Sequence, residues 1–320
     1  MPSTRRQLLR RLGGVGGAVT GAVVGGCARP GTSADSVSNV HVGSKPFAEQ
    51  EILGYLAYHS LQQVESIQVV DEIGYGTTQT NWQATATGAK DLYWEYTGTA
   101  WLRLPPQHTE RITEPQRLYK RVKADALAQD IKMGPPAQLS NGFVIAVDRS
   151  WHERTGVRTL SDLIAHFEAG NTEVGFAVGE DFYRRQDAWR GVTSYYGLEA
   201  ETRATLETGT FIVTSIGLTY ELLETQQVDV VSGFATDPQL DSRDIVVLED
   251  DRQYFLPYQP VPTAHAPTIQ EHPEIFDALR PVITALDKET VRTLSRDVLN
   301  NSHSPSAVAQ EFLDRTGTIT

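Results

Sequence analysis

Few residues of this 320-residue chain have the types and spacings that make or break bonds. Its 8 histidines fall in no HxH or HExxH pattern, the spacing that presents two imidazoles to a zinc ion. One cysteine, Cys27, excludes an internal disulfide and a site built from several thiolates. There is no GxSxG elbow, no Walker loop and no GxGxxG turn. Leu248-Glu249-Asp250-Asp251 is acidic, yet it lacks the alternating oxygen ligands of a calcium loop and is expected to be a surface turn after a strand. The expectation is a protein with no metal, no cofactor and no catalytic residue, whose chemistry is binding.

Cys27 is informative through its place. Thr4-Arg5-Arg6-Gln7-Leu8-Leu9 sets a twin-arginine pair before apolar residues, and Leu12 to Gly26 is small and apolar. A charged start followed by a run of this kind is a secretory signal, because a membrane span needs about 20 strongly apolar residues. The twin arginines point to the route that exports folded proteins. Val24-Gly25-Gly26-Cys27 resembles a lipoprotein cleavage box, with Cys27 as the lipidated first residue; the alternative is an ordinary signal with an incidental cysteine. Residues 1–27 are thus expected to be the signal peptide and 28–38 a flexible tether on the outer face of the membrane.

The formal net charge is -12 and the pI about 5.1. Nucleic acid as a partner is excluded, since phosphate binding needs Lys and Arg clustered on one face. An acidic chain with these proportions also suits a high-salt setting or plain solubility.

From Val40 onward, short apolar runs alternate with helical patterns. Val40–Val42, Ile67–Val70, Asp91–Tyr93, Phe143–Val147, Val174–Val178, Val228–Ser232 and Ile245–Leu248 are expected strands. Residues 47–62, 77–87, 114–129, 160–167 and 214–225 are expected helices, and the last fifty residues are mainly helical. This alternation predicts an α/β fold with mostly parallel sheets. Two such stretches predict two lobes, 39–142 plus 249–320 and 143–248.

Three segments stand out against that background. They are Val42-Gly43-Ser44-Lys45-Pro46-Phe47-Ala48-Glu49-Gln50, then Gly88 to Thr99 with Glu95-Tyr96-Thr97-Gly98-Thr99, then Val228 to Asp237 followed by Leu248–Asp251 and Tyr258. Together, in this order, they resemble VGSKxFxEQ, GxxDxYxEYTGT, DVxxxYxTD and LEDD of the substrate-binding proteins of ABC importers for glycine betaine, choline, carnitine and related osmoprotectants. The resemblance runs from about Val40 to the end. It implies a two-lobed periplasmic-binding-protein-like fold of type II, hinged by crossover strands, that closes on its ligand. It implies as partners a quaternary amine, a permease and its ATPase, and a monomeric receptor held to the membrane by a lipid.

The ligand's chemistry says what to look for. A trimethylammonium head has no N–H, so aromatic faces hold it best. A carboxylate tail calls for cations and hydroxyl donors. By resemblance, the cage is Tyr96, Phe143, Phe234 and Tyr258, with backbone carbonyl contacts from Asn141. Phe143 and Phe234 stand where the family has tyrosine, which keeps the ring face and loses the hydroxyl. The clamp is Lys45, Thr99 and Arg185, with Arg184 as the alternative one position back. Lys45 also lies just past a strand's carboxyl end, where α/β folds place their sites.

Each residue has a structural alternative. Phe143 and Phe234 lie in apolar strands that would bury them as core. Thr99 has a second role as N-cap of a helix starting near Ala100. Glu95 and Asp91 are expected to serve structure, and Trp94 and Trp189 either line the site or pack. Rival functions are a receptor for choline or another bare cation, an exported enzyme on the same scaffold, and a sensory domain.

Overall fold

Apolar runs bounded by turn residues become ten strands in a computed structural model that describes residues 37–301 and 303–317. In chain order they are β1 Ser38–Gly43, β2 Ile67–Glu72, β3 Leu92–Tyr96, β4 Ile131–Met133, β5 Phe143–Asp148, β6 Phe176–Gly179, β7 Phe211–Thr214, β8 Val230–Phe234, β9 Ile245–Val247 and β10 Pro260–His265. The twin arginines, Cys27 and nearly all of the expected tether lie outside the described residues. Ser38, expected at the end of the tether, already belongs to β1 and pairs with Ile67.

The strands form two five-stranded sheets, β2-β1-β3-β10-β4 and β7-β6-β8-β5-β9. Both have the same order: second, first and third strand of the lobe, the strand arriving from the other lobe, then the fourth. The chain crosses between the sheets through residues 134–142 and returns through 248–259. β10 is antiparallel to β3 and β4, and β5 is antiparallel to β8 and β9. The sheets are therefore mixed rather than mostly parallel. An arriving strand starts at the edge where its neighbours end, as the pairs Phe143↔Phe234 and Pro260↔Tyr96 show. Periodicity within a strand carries no trace of that direction.

Each sheet is covered on both faces. Over the first, helix Ala48–Leu61 buries Ile52, Leu53, Leu56 and Leu61 with Val40, Val42, Leu92 and Trp94. Helices Glu274–Ala285, Lys288–Asn301 and Pro305–Thr316 complete that layer. Tyr93, one residue from Trp94, faces the opposite core with Trp82 and Trp101, following the two-residue alternation of a strand. Leu and Trp burial of this kind contributes roughly 1.5–3 kcal/mol per large side chain. Trp94 and Trp189 are both at most 1% exposed and sit in the two main cores, which answers the open choice for them as packing.

Some local expectations shift. β3 runs on to Tyr96, because all five of its residues are buried and alternation could not mark its end. The following helix is Thr97–Arg103 with Tyr96 at its N-cap, so Thr99 lies inside the first turn and is not the cap. Asp250 does more than end a surface turn. It accepts hydrogen bonds from the Tyr196 hydroxyl (2.5 Å) and from the backbone N–H groups of Tyr254 (2.7 Å) and Phe255 (2.8 Å), pinning the second crossing to its lobe.

Candidate functional site

The ends of β1, β3 and β8, the start of β5 and both crossings meet between the lobes. Lys45 follows β1 by two residues and is 6% exposed. Its Nζ lies 2.5 Å from Glu95 Oε1 and 4.9 Å from the centre of the Tyr96 ring. Burial lowers the Lys45 pKa and Glu95 opposes that; the fields of Arg185 and Arg103 lower it further. Glu95 is fully buried and also accepts from the Tyr93 hydroxyl and the Tyr96 N–H, in keeping with a structural role. Asp91 likewise accepts from the His41 N–H at 2.8 Å and the Thr268 hydroxyl at 2.6 Å. Thr99 is 5% exposed.

Phe143 opens β5 and Phe234 closes β8, and the pairing register puts them side by side. Their rings stack with centroids 5.0 Å apart. Tyr258, from the second crossing, meets Phe143 edge-on at 6.3 Å, and Phe182 does so at 5.3 Å. The Arg185 guanidinium lies 5.0 Å from the Phe143 ring and 5.8 Å from the Tyr258 ring. These faces are thus already presented to a cation. Arg185 is held by Asp187 through Nε at 2.9 Å and Nη2 at 2.5 Å, and the Tyr258 hydroxyl donates to the same carboxylate at 3.1 Å. Arg184 points away, with its side chain 74% exposed beside Glu180. Of the two arginines, only Arg185 reaches the rings.

Tyr96 lies on the Lys45 side of this cluster. Gly98 joins the two sides: a Cβ there would fall 2.8 Å from the Tyr258 ring and 2.9 Å from the Pro257 carbonyl. Only glycine lets the ring come so near the first turn of helix Thr97–Arg103.

Several members of the site carry no prediction from the sequence. Glu49 is buried and accepts from the Tyr96 hydroxyl (2.6 Å), Asn141 Nδ2 (3.0 Å) and the Thr236 hydroxyl (2.5 Å). It ties helix Ala48–Leu61 to β3, the first crossing and the turn after β8. Burial raises its pKa, and the three donors pull it back. A signal for it existed. Glu49 stands three, four and seven residues before Ile52, Leu53 and Leu56, on the stripe that faces inward. Asn141 serves this network through its side chain, and its N–H donates to the Tyr258 carbonyl at 2.9 Å. Asp187, Phe182 and Phe255 were also missed; no periodicity singles them out.

Two cavities flank the ring cluster. One, of about 430 Å³, is mostly apolar, with Phe47, Ile216, Phe234 and Leu299 among its walls and Glu49 and Asn141 on its lining. The other, of about 680 Å³, lies between residues 102–111, 181–187 and 254–258.

The comparisons bear on this geometry. Residues 38–315 match the family model described as the substrate binding domain of ABC-type glycine betaine transport system. The chain is 29% identical over 280 residues to the glycine-betaine-binding protein of Pseudomonas aeruginosa, covering 86% of each. It is 30% identical over 273 residues to the chemotactic signal transduction system substrate-binding protein CosB of Halobacterium salinarum, covering 80% of this chain and 78% of that one. The solved structure of apo YehZ from Escherichia coli has the same fold, with a TM-score of 0.67 and 24% identity over 88% of this chain and all of that one.

Proposed function

The chain belongs to the family of substrate-binding domains of ABC-type glycine betaine transport systems, and on that premise we propose that it captures glycine betaine or a close quaternary ammonium relative between its lobes. It is the substrate-binding component of such a transporter. The single observation that carries the ligand class is the ring cluster of Phe143, Phe234 and Tyr258 with a guanidinium already seated against two of its faces.

The chemistry follows from that cluster. A quaternary ammonium gains roughly 0.5–2 kcal/mol per favourable ring face, and Phe supplies that face as well as Tyr does. The carboxylate is received by Lys45, Thr99 and Arg185. Ligand binding favours the closed arrangement of the lobes by as much as it contacts both of them. The loaded form docks on a permease whose ATPase powers uptake. No covalent step is needed, and the protein is not an enzyme. Cys27 carries the lipid that holds a monomeric receptor at the outer face after twin-arginine export.

One observation favours a second ligand. Lys45 and Arg185 already have carboxylate partners in Glu95 and Asp187, so the clamp is locally close to neutral. That removes the repulsion that two bare cations would exert on choline. The likeness to CosB supports a second partner, a transducer that reads the loaded receptor. Calorimetry on the full chain with glycine betaine, proline betaine, carnitine and choline tests the ligand class, and a null result with all four sinks it. Changing Lys45 to Ala is expected to weaken betaine much more than choline; equal losses would dismiss the clamp.

A further inference from the structure

Two carboxylates in the cleft have no cation beside them. Lys45 is matched by Glu95 and Arg185 by Asp187. Glu49, by contrast, receives only neutral donors: the hydroxyls of Tyr96 and Thr236 and the Asn141 amide. Asp237 is alike. Its Oδ2 accepts from the Phe234 N–H at 2.6 Å and the Tyr220 hydroxyl at 2.8 Å, and its Oδ1 accepts no hydrogen bond among the described residues.

The two acids come from different lobes and meet at one cavity. Glu49 stands in the first turn of helix Ala48–Leu61 of the first lobe, and Asp237 follows β8 of the second. Thr236, next to Asp237 in the chain, bridges the lobes by donating to Glu49 at 2.5 Å. Both acids line the mostly apolar cavity of about 430 Å³, and among the described residues no Lys, Arg or His does. The other acids on its lining, Glu180 and Asp181, belong to the second lobe and are exposed. The cations whose fields reach the pair are occupied. Lys45 acts on Glu49 while bound to Glu95, and Arg292 acts on Asp237 while paired with Asp241 and donating to the Ala235 carbonyl.

Water solvates each carboxylate while the lobes are apart. Bringing the lobes together strips that water and sets one negative charge against the other. A proton relieves both penalties, and Asp237 has a place for it: on Oδ1 it leaves Oδ2 free to accept from Phe234 and Tyr220. The acidities run the same way. Burial raises both pKa values, that of Asp237 to about 6 from 3.8, with the Glu49 charge acting in the same direction.

We propose that Glu49 and Asp237 form a proton-sensitive seam between the lobes: bringing the lobes together on a ligand takes up a proton, and parting them gives it back. This rests on the reading of the cleft as the ligand site. A group whose pKa is higher in the joined state holds its proton more readily there. The ligand therefore binds more tightly as pH falls through about 6, and the gain levels off near 3.8, the ordinary value of the solvated group. The receptor thus loads more fully in an acidic medium than in a neutral one.

Calorimetry of the full chain with glycine betaine, in buffers of different ionisation enthalpy near pH 6, counts the protons. The observed heat is expected to vary with buffer enthalpy by a slope that corresponds to uptake of up to one proton. Between about pH 7 and pH 5, Kd is expected to tighten several-fold, with about tenfold as the ceiling for one group. Asp237→Asn puts a neutral amide where the protonated acid stands. It is expected to bind at about pH 7 nearly as tightly as the wild type does at about pH 5, and to lose most of the uptake. Glu49→Gln removes one of the two interacting charges and also lowers the uptake, whatever its affinity. Circular dichroism checks that both variants fold, and the wild-type slope remains a test if either does not. Zero slope or proton release in the wild type, or an equal slope in the wild type and both variants, would overturn the seam and leave the transport reading intact. No binding at any of these pH values would remove the transport reading, and the seam with it.

Discussion

Phe143 and Phe234 depart from the tyrosines of the family pattern, and the structure explains why the change is tolerable. Their rings stack on one another and Phe143 also meets the Phe182 ring edge-on, so no hydroxyl is needed to orient them. Phe143→Leu keeps the volume and removes the face; it is expected to weaken a quaternary ammonium ligand by about 1 kcal/mol, several-fold in Kd, while Phe143→Tyr changes little. Fluorescence or calorimetric titration of both variants reads this directly. Asp237 is the residue with the clearest pH signature. Burial pushes its pKa up to about 6 from 3.8, although the Phe234 N–H (2.6 Å) and the Tyr220 hydroxyl (2.8 Å) donate to it. A carboxyl whose folded pKa is raised favours the fold when protonated. Its contribution is fully present below 3.8 and is lost as pH rises through about 6. Chemical denaturation between those limits should show wild-type stability falling relative to Asp237→Asn as pH increases. Parallel curves for the two proteins would dismiss a raised pKa at this position.

At the scale of elements, the Gly43 end of β1 shows how closely strand and loop are fitted. A Cβ at Gly43 would lie 2.2 to 2.7 Å from the end of the Lys90 side chain. That lysine is fully buried and holds Glu72 at 2.9 Å, so it cannot swing aside without breaking the pair. Gly43→Ala is therefore expected to cost about 1–3 kcal/mol, as overpacking of a tight interior does. Thermal melting measures it, and a shift within error would mean that Lys90 relocates freely. The strands and helices themselves were largely legible in the sequence. Ile52, Leu53, Leu56 and Leu61 mark one helical stripe, and the runs at 67–70, 143–147 and 245–248 became β2, β5 and β9 with small changes at their ends. What misled was uniform burial. Leu92 to Tyr96 is buried at every position and includes an acid, so neither alternation nor polarity marked where β3 stops.

At the scale of the whole molecule, contacts away from the rings hold the lobes together. Helix Lys288–Asn301, packed on the first lobe, sends Arg292 and Arg296 to Asp241 in the turn between β8 and β9 of the second. Arg292 also donates to the Ala235 carbonyl at 2.8 Å. These side chains are partly exposed, so each pair is worth at most about 1 kcal/mol and is weakened by salt. Asp241→Ala is expected to loosen the ligand a few-fold by favouring separation of the lobes, with an effect that shrinks as salt rises. Titrations at low and high ionic strength check this, and a salt-independent loss would point to local damage instead.

The sequence by itself determined the elements, the acidic surface and the ordered motifs that place the chain in its family, because these depend on residue type and short spacing. It also marked Lys45, Tyr96, Phe143, Phe234 and Tyr258 as a group. Only the tertiary structure decided how they stand. Whether Lys45 meets a ligand or Glu95 first, and that Glu49 joins four segments, depend on groups dozens of residues apart brought within 3 Å or so, and that Arg185 rather than Arg184 turns inward is seen only in its place beside the rings of Phe143 and Tyr258, which are as far away in the chain. Pairings across such separations leave no periodic trace in a single chain, so the charge balance of the cleft became readable only once both lobes were in place.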